Sequence, residues 1–115
     1  MTGLIGKRMA FFLIEATYNS NALAAMANNP QDRVAPVRAM VERAGGTLHH
    51  FFYALGDIDL VAIVELPDAE AASAVAFTVA KAGHMSTYRT RLLLTAEQGV
   101  DAMKKAHDLS LPAPK

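Results

Sequence analysis

The strongest constraint on the fold of this sequence comes from two segments that are apolar on both faces when they are read as β-strands. Residues 9–17 (MAFFLIEAT) and 58–65 (IDLVAIVE) are rich in the branched and aromatic residues that strands favour. Side chains alternate between the two faces of a strand. In the later segment one face carries Ile58, Leu60, Ala62 and Val64, and the other carries Val61 and Ile63. Since a sheet with one face in water alternates apolar with polar residues, both faces of the predicted sheet need a cover.

The rest of the chain alternates between strand and helix patterns. The predicted elements are strands at residues 9–17, 47–55, 58–65 and 85–94, helices at 22–27 and 31–44, a helix from the Asp68 cap to Ala82, and a last helix from the Thr95 cap to Asp108. Gly45-Gly46 and Gly83 end two of these helices, and Gly56-Asp57 predicts a tight hairpin between two antiparallel strands. Pro36 either kinks its helix or marks the first turn of that helix.

This order of elements is that of an α+β, ferredoxin-like fold: a split βαβ arrangement with a four-stranded antiparallel sheet, followed here by a C-terminal helix. Right-handed crossovers place both crossover helices on one face of the sheet. The other face then requires a partner, and we expect a second copy of the chain to cover it, forming a dimeric α/β barrel. The composition agrees, because 52% of the residues are apolar and only 19% are charged, against about 25% charged in an average soluble domain.

One domain is expected, since 115 residues leave no room for two cores. We divide the chain into an N-terminal segment at residues 1–8, the domain at 9–108 and an irregular tail at 109–115. Lys7 and Arg8 stand before a short apolar run, as in a signal peptide, but the run is too short for a signal or a membrane span. We therefore expect a cytoplasmic protein.

Charge and cysteine content exclude several classes of function. Eleven basic and eleven acidic residues cancel, so neither nucleic acid nor an anionic membrane is an expected partner. The sequence has no cysteine, which removes disulfides, thiolate catalysis and cysteine metal sites together. Neither of the glycine-rich nucleotide-binding motifs occurs. We predict no cofactor and no metal site.

Around the predicted hairpin, residues 53–68 (YALGDIDLVAIVELPD) resemble the GYD-domain family of small bacterial proteins, within the dimeric α/β-barrel group. Gly56 and Asp59 stand where the family has its Gly and Asp, whereas Ile58 stands where its Tyr is expected. The resemblance extends over residues 9–105. It implies a ferredoxin-like dimer but no particular chemistry, because wider relatives in the barrel group include cofactor-free monooxygenases, isomerases and haem enzymes.

His49 and His50 are the candidate catalytic residues. Because they are adjacent in a predicted strand, we expect them to point to opposite faces, one toward the helices and one toward the dimer cavity, so that they cannot bind one metal together. The histidine on the cavity side can act as a general base, since imidazole titrates near neutral pH. The alternative is a purely structural histidine near a strand edge.

The candidate ligand-binding residues are Arg89, Arg91, Tyr53 and Asp59. Arg89 and Arg91 share one face of the fourth strand, where two guanidinium groups can hold a carboxylate or a phosphate. The alternative is that they pair with acidic residues on neighbouring strands. Asp59 begins the third strand and is expected to bond to turn amides or to an arginine.

The sequence leaves three functions open. The first is a binding module, a homodimer that holds a small apolar or carboxylate-bearing molecule in the cavity on the sheet side. The second is a cofactor-independent oxygenase or isomerase, with His49 or His50 as base and Arg89 or Arg91 as anion holder. The third is a structural subunit whose interface is filled by its own side chains. The sequence does not decide whether the protein is an enzyme.

Overall fold

The computed structural model describes residues 9–115, so the predicted N-terminal segment and the basic pair Lys7 and Arg8 lie outside the described residues. Four strands and four helices follow in chain order. They are β1 (Ala10–Tyr18), α1 (Ser20–Asn28), α2 (Val34–Arg43), β2 (Thr47–Tyr53), β3 (Leu60–Leu66), α3 (Ala69–Ala82), β4 (Met85–Leu93) and α4 (Ala96–His107). Each predicted strand and helix is present, most of them within three residues of the predicted bounds.

The four strands form one antiparallel sheet in the order β2-β3-β1-β4. β1 lies in the middle and pairs with β3 on one side and β4 on the other. The two crossover connections, from β1 to β2 and from β3 to β4, each skip one strand, which is the split βαβ arrangement. The α+β, ferredoxin-like fold predicted from the element order is confirmed.

One face of the sheet packs against the crossover helices. Phe12 and Val64 from the sheet are buried together with Val41 of α2 and Val75 of α3. Burial of each such side chain contributes roughly 1.5–3 kcal/mol to folding. A smaller cluster of Ala16, Tyr18 and Leu60 continues this core toward α1. We call this side of the sheet the helix face, and the prediction that both crossover helices share it is confirmed.

Local signals set the ends of the helices. Asn19 caps α1 by accepting a hydrogen bond from the Ala22 amide, and Asp68 caps α3 in the same way through the Ala71 amide. Gly83 ends α3 in the left-handed conformation, at φ +76°. The structure decides between the two alternatives for Pro36, which occupies the first turn of α2 and does not kink it.

The connection between β2 and β3 differs from the predicted tight hairpin. Residues 54–59 form a six-residue loop, closed by a hydrogen bond of 2.8 Å from the Ala54 amide to the Asp59 carbonyl. Gly56 has a φ of +144° within this loop, which only glycine adopts readily. The Asp59 amide donates to the Ala16 carbonyl of β1, so the loop is bonded to the central strand and does not turn back on itself in two residues.

The last helix extends away from the core. The predicted Thr95 cap is present as a capping box, since the Thr95 hydroxyl accepts from the Gln98 amide and the Gln98 side chain accepts from the Thr95 amide. No residue of α4 is buried, although Val100 and Met103 are apolar. Within residues 9–115, no helix combines the length and the apolar character that crossing a bilayer demands.

Candidate functional site

The second face of the sheet, which we call the open face, carries the predicted catalytic residues and both arginines. Its centre is apolar and consists of Phe11 and Leu13 from β1 and Val61 and Ile63 from β3, all half-buried. These residues alternate with the buried residues of the helix face, as the strand period requires. None of the helices in residues 9–115 contributes to the core on this side. The open face is therefore an apolar surface framed by its two edge strands.

A β-bulge in β2 changes the position of the two histidines. Leu48 pairs with Val64, but the next pair is His50 with Ile63, so His49 is an extra residue in its strand. Ile63 belongs to the open face, which places His50 there. His49 reaches the same face, because its ring lies 5.4 Å from that of Phe11. The prediction that adjacent histidines point to opposite faces is wrong, since the bulge lets two successive side chains share one face.

The two histidines have different partners. His49 Nε2 lies 2.9 Å from Glu65 Oε1, a residue of the neighbouring strand β3. This contact holds the imidazole in one orientation and gives it a carboxylate partner. The His50 ring stacks on the Phe52 ring at 5.9 Å, with an angle of 10° between the planes. Of the pair, His49 has the environment of an oriented base and His50 that of a packed edge residue.

The opposite edge of the open face is basic. Arg91 Nε donates to Glu15 Oε1 over 3.0 Å, which realises the pairing alternative for this residue. Arg89 stands directly across from Glu15 in the register of β1 and β4. Within residues 9–115, no carboxylate lies within ion-pair distance of Arg89. Arg89 is thus the guanidinium on the open face that has no carboxylate partner among the described residues.

The histidines and arginines do not meet within one chain. β2 and β4 are the two edges of the sheet, three strand spacings apart, so His50 and Arg91 are separated by about 14 Å. Their side chains reach inward from the two edges, since the His49 ring lies near Phe11 of β1 and Arg91 bonds to Glu15 of the same strand.

Tyr53 and Asp59 lie away from the arginines. Tyr53 pairs with Leu60 and packs edge-on against Phe51, so it stands at an exposed margin of the helix face. Asp59 Oδ2 accepts a hydrogen bond of 3.0 Å from the Tyr18 amide at the end of β1. The turn-amide expectation for Asp59 therefore holds in a modified form, with a strand-end amide as the donor.

A cleft on the helix face gathers three residues that the sequence does not connect. Tyr18, Arg33 and His84 line the same two adjoining cavities between β1, α1, α2 and the start of β4. Burial raises the pKa of Tyr18, and the neighbouring Arg33 charge opposes this rise. Tyr18, Arg33 and His84 are far apart in the sequence, so no local motif joins them.

The described residues hold no metal-binding cluster, because no three His, Asp or Glu side chains in 9–115 come together as ligands. Tyr88 of β4 lies against the core, and burial raises the pKa of its hydroxyl while the neighbouring Thr90 side chain opposes this rise. That hydroxyl has no hydrogen-bond partner among the described residues. Its position on the helix face keeps it apart from Arg89 and Arg91.

Comparison with known proteins gives one family and one fold. A family model described as GYD domain matches residues 12–104. Five chains of solved structures are similar, among them the crystal structure of MtbAldR. That structure superposes with a TM-score of 0.50 at 12% sequence identity, over 75% of this chain and 52% of the other, so the match spans about half of MtbAldR. At this identity the likeness shows the fold alone. No curated protein matches the chain.

Proposed function

The chain belongs to the GYD domain family, and we propose that it works as a homodimer whose open faces pack together around a small-molecule binding site. The observation that carries this proposal is the apolar centre of the open face, left without a helix in residues 9–115. Four half-buried apolar side chains in the middle of a sheet gain free energy when a second apolar layer removes them from water. A second copy supplies a matching layer by symmetry.

Charge placement favours one orientation of the two copies. A two-fold axis parallel to the strands sets β2 of one subunit over β4 of the other. The register then sets the His49–Glu65 pair near the partner's Arg91, with the partner's Arg89 two residues further along β4. Glu65 lies on β3 beside the β2 edge and the arginines lie on the β4 edge, so this orientation brings an acidic side chain of one copy toward basic side chains of the other. This arrangement joins the two kinds of candidate residue that one sheet keeps about 14 Å apart.

The ligand class follows from the lining of such a cavity. The centre of its walls is apolar, and Arg89 is the guanidinium there without a carboxylate partner among residues 9–115, since Arg91 pairs with Glu15. A guanidinium in an apolar setting binds a carboxylate with two parallel hydrogen bonds. We therefore propose a small, mainly apolar carboxylate as the ligand of the sheet-side site.

The dimer is tested by placing a charge on the open face. Leu13→Asp inserts a carboxylate into the apolar centre and is expected to give a monomer in sedimentation equilibrium, whereas we expect the unmodified chain to be a dimer. Leu23→Asp is the matched control, because Leu23 is exposed on α1 at 42% and lies in the helix layer. A monomeric unmodified chain, or a dimer that survives Leu13→Asp, would contradict the proposal.

The ligand is tested by thermal unfolding with butyrate, hexanoate and octanoate. A ligand bound only by the folded state raises the melting temperature, and we expect the two longer acids to do so. Arg89→Gln should remove the effect, whereas Arg38→Gln, an exposed arginine of α2, should preserve it. Equal shifts in the two variants would place binding elsewhere than at Arg89.

The contact of His49 with Glu65 favours a second candidate, a cofactor-independent proton-transfer enzyme. A carboxylate 2.9 Å from one ring nitrogen orients the imidazole. His49→Gln should then abolish turnover of a carboxylate substrate while its binding, measured by calorimetry, persists. His107→Gln is the control, since His107 is exposed on α4. Binding lost together with turnover would leave the binding module as the function.

A further inference from the structure

The cleft on the helix face, lined by Tyr18, Arg33 and His84, lies on the other side of the sheet from the open face. Its two cavities share all three residues and adjoin α1, α2 and the turn between α3 and β4. Every side chain named for the sheet-side site, Arg89 and His49 included, is absent from its walls. The cleft is thus a separate place in the molecule, and it stays accessible when two open faces pack together.

The polar groups of the cleft suit an anion. Arg33 is half-buried at the start of α2, and within residues 9–115 no carboxylate lies within ion-pair distance of it. Its side-chain contact is a long one, 3.5 Å from Nη1 to Gln31 Oε1. The Asp59 carboxylate, the nearest acid to Tyr18, is engaged by the Tyr18 backbone amide. A half-buried guanidinium without a counter-ion attracts an anion more strongly than one in open water.

Tyr18 and His84 add donors beside Arg33. Tyr18 is 6% exposed, and its ring forms part of the cleft wall. The backbone of His84 is fixed by a hydrogen bond of 2.9 Å from the Asn19 amide to the His84 carbonyl. Its imidazole is exposed at the mouth of the cleft. A phenol, an imidazole and a guanidinium on one cavity are a recognised way to bind an oxyanion by hydrogen bonds.

Apart from Gln31 and Thr78, the remaining walls are apolar and define the body of the ligand. They come from α1, α2, α3 and the first residue of β4, and include Met26, Val37, Met40, Val79 and Met85. The larger of the two cavities measures about 150 Å³. A cleft of this volume, open on one side and lined mainly by apolar side chains, has room for an aromatic ring. Methionine side chains also make favourable contacts with aromatic rings.

We propose that this cleft is a second binding site, specific for a small aryl carboxylate. The carboxylate lies against the Arg33 guanidinium with Tyr18 and His84 beside it, and the ring occupies the apolar cavity between α2 and α3. The site is formed by one chain and does not depend on dimerisation.

Benzoate and benzamide test the proposal, because they share ring and size and differ in charge. Benzoate is expected to raise the melting temperature of the intact protein, and benzamide to leave it unchanged. In calorimetry, Arg33→Gln should weaken benzoate binding about tenfold or more, the loss expected for one charge-assisted hydrogen bond. Arg38→Gln on the same helix is the matched control and should bind as the unmodified chain does.

Three results would overturn the proposal: no shift with benzoate, an equal shift with benzamide, or benzoate binding to Arg33→Gln within twofold of the unmodified chain. Arg89→Gln separates the two sites. If it abolishes benzoate binding while Arg33→Gln retains it, the helix-face site fails and the sheet-side site gains support. Should Arg33→Gln lose its native circular dichroism, NMR decides instead, since benzoate must shift the ring signals of His84 and leave those of His107 in place.

Discussion

At the scale of single residues, Asp59 ties the family motif to the fold. Its carboxylate accepts from the Tyr18 amide and its own amide donates to the Ala16 carbonyl, so the loop at residues 54–59 is held against the central strand. Gly56 supplies the unusual backbone angle of the same loop. Ile58, which stands where the family has tyrosine, is half-buried and brings no hydroxyl. The motif residues therefore determine the geometry of the loop, and for this reason the motif does not indicate a particular reaction or ligand.

Replacing Asp59 should cost stability. Asp59→Ala leaves the half-buried Tyr18 amide without its acceptor, which we expect to lower the free energy of unfolding by about 1–3 kcal/mol. Asp57→Ala is the control, because Asp57 is exposed in the same loop and should change stability by less than about 0.5 kcal/mol. Urea unfolding at neutral pH measures both. Equal losses in the two variants would mean that loop composition, and not the hydrogen bond, sets the effect.

The buried tyrosines predict how stability depends on high pH. Burial raises the pKa of Tyr88 above 10.0, so the folded state keeps a proton that the unfolded state releases above that value. Stability should be level up to pH 10 and fall as the pH rises further. Tyr88→Phe removes a buried hydroxyl without a partner, so it should gain about 1 kcal/mol at pH 8.

The same variant should also make the decline above pH 10 shallower, though not abolish it, since burial raises the pKa of Tyr18 as well. Urea unfolding at pH 8 and 10.5 measures both effects. Tyr53→Phe, at a tyrosine that is 59% exposed, is the control for the gain and should leave stability at pH 8 unchanged. A Tyr88→Phe variant that is less stable at pH 8 would show that its hydroxyl has a partner after all.

At the scale of elements, the sequence predicts the order, the type and most bounds of the strands and helices. It fails at one residue of β2. The alternation rule places His49 and His50 on opposite faces, but the bulge between Leu48 and His50 inserts one residue and shifts the period. A glycine within a strand pattern often indicates a bulge, but the segment around His49 and His50 contains no glycine. The loop at residues 54–59 was predicted too short for a similar reason, because its length is set by bonds to β1, a strand distant in the sequence.

Gly46, in the connection between α2 and β2, yields a prediction in which Gly99 of α4 serves for comparison. A Cβ built on Gly46 would lie 2.1 Å from the Glu65 carbonyl oxygen of β3, so the backbones approach too closely for any side chain. Gly46→Ala should therefore destabilise the fold by at least about 2 kcal/mol. Gly99→Ala in α4 meets no atom within 4 Å, and it should stabilise by about 0.5–1 kcal/mol through helix propensity.

Thermal and urea unfolding of the two variants provide the comparison. Both variants replace a glycine by an alanine and so add one methyl group. The difference between their free energies of unfolding therefore reports chiefly the close approach of the two backbones at Gly46. If Gly46→Ala were as stable as the unmodified chain, β2 and β3 could not lie at the observed separation at this end of the sheet.

At the scale of the whole molecule, the sheet divides the protein into two chemically distinct sides. The sequence predicts this division, because period and crossover handedness together assign helices to one face and leave the other apolar. The residues of the open face could be predicted from the sequence, because they belong to strands whose alternation is regular over most of their length. The cleft of Tyr18, Arg33 and His84 could not, since it forms where the ends of β1, α3 and two neighbouring helices meet, and no sequence period relates those positions.

A homodimer predicts that stability depends on protein concentration. When folding and association are linked, mass action stabilises the folded dimer as the total concentration rises. The melting temperature of the unmodified chain should therefore increase between low and high micromolar concentration. Leu13→Asp should melt at one temperature throughout that range, while Leu23→Asp should follow the unmodified chain. Differential scanning calorimetry provides the measurement, and a melting temperature of the unmodified chain that is independent of concentration would contradict a dimer held by its open faces.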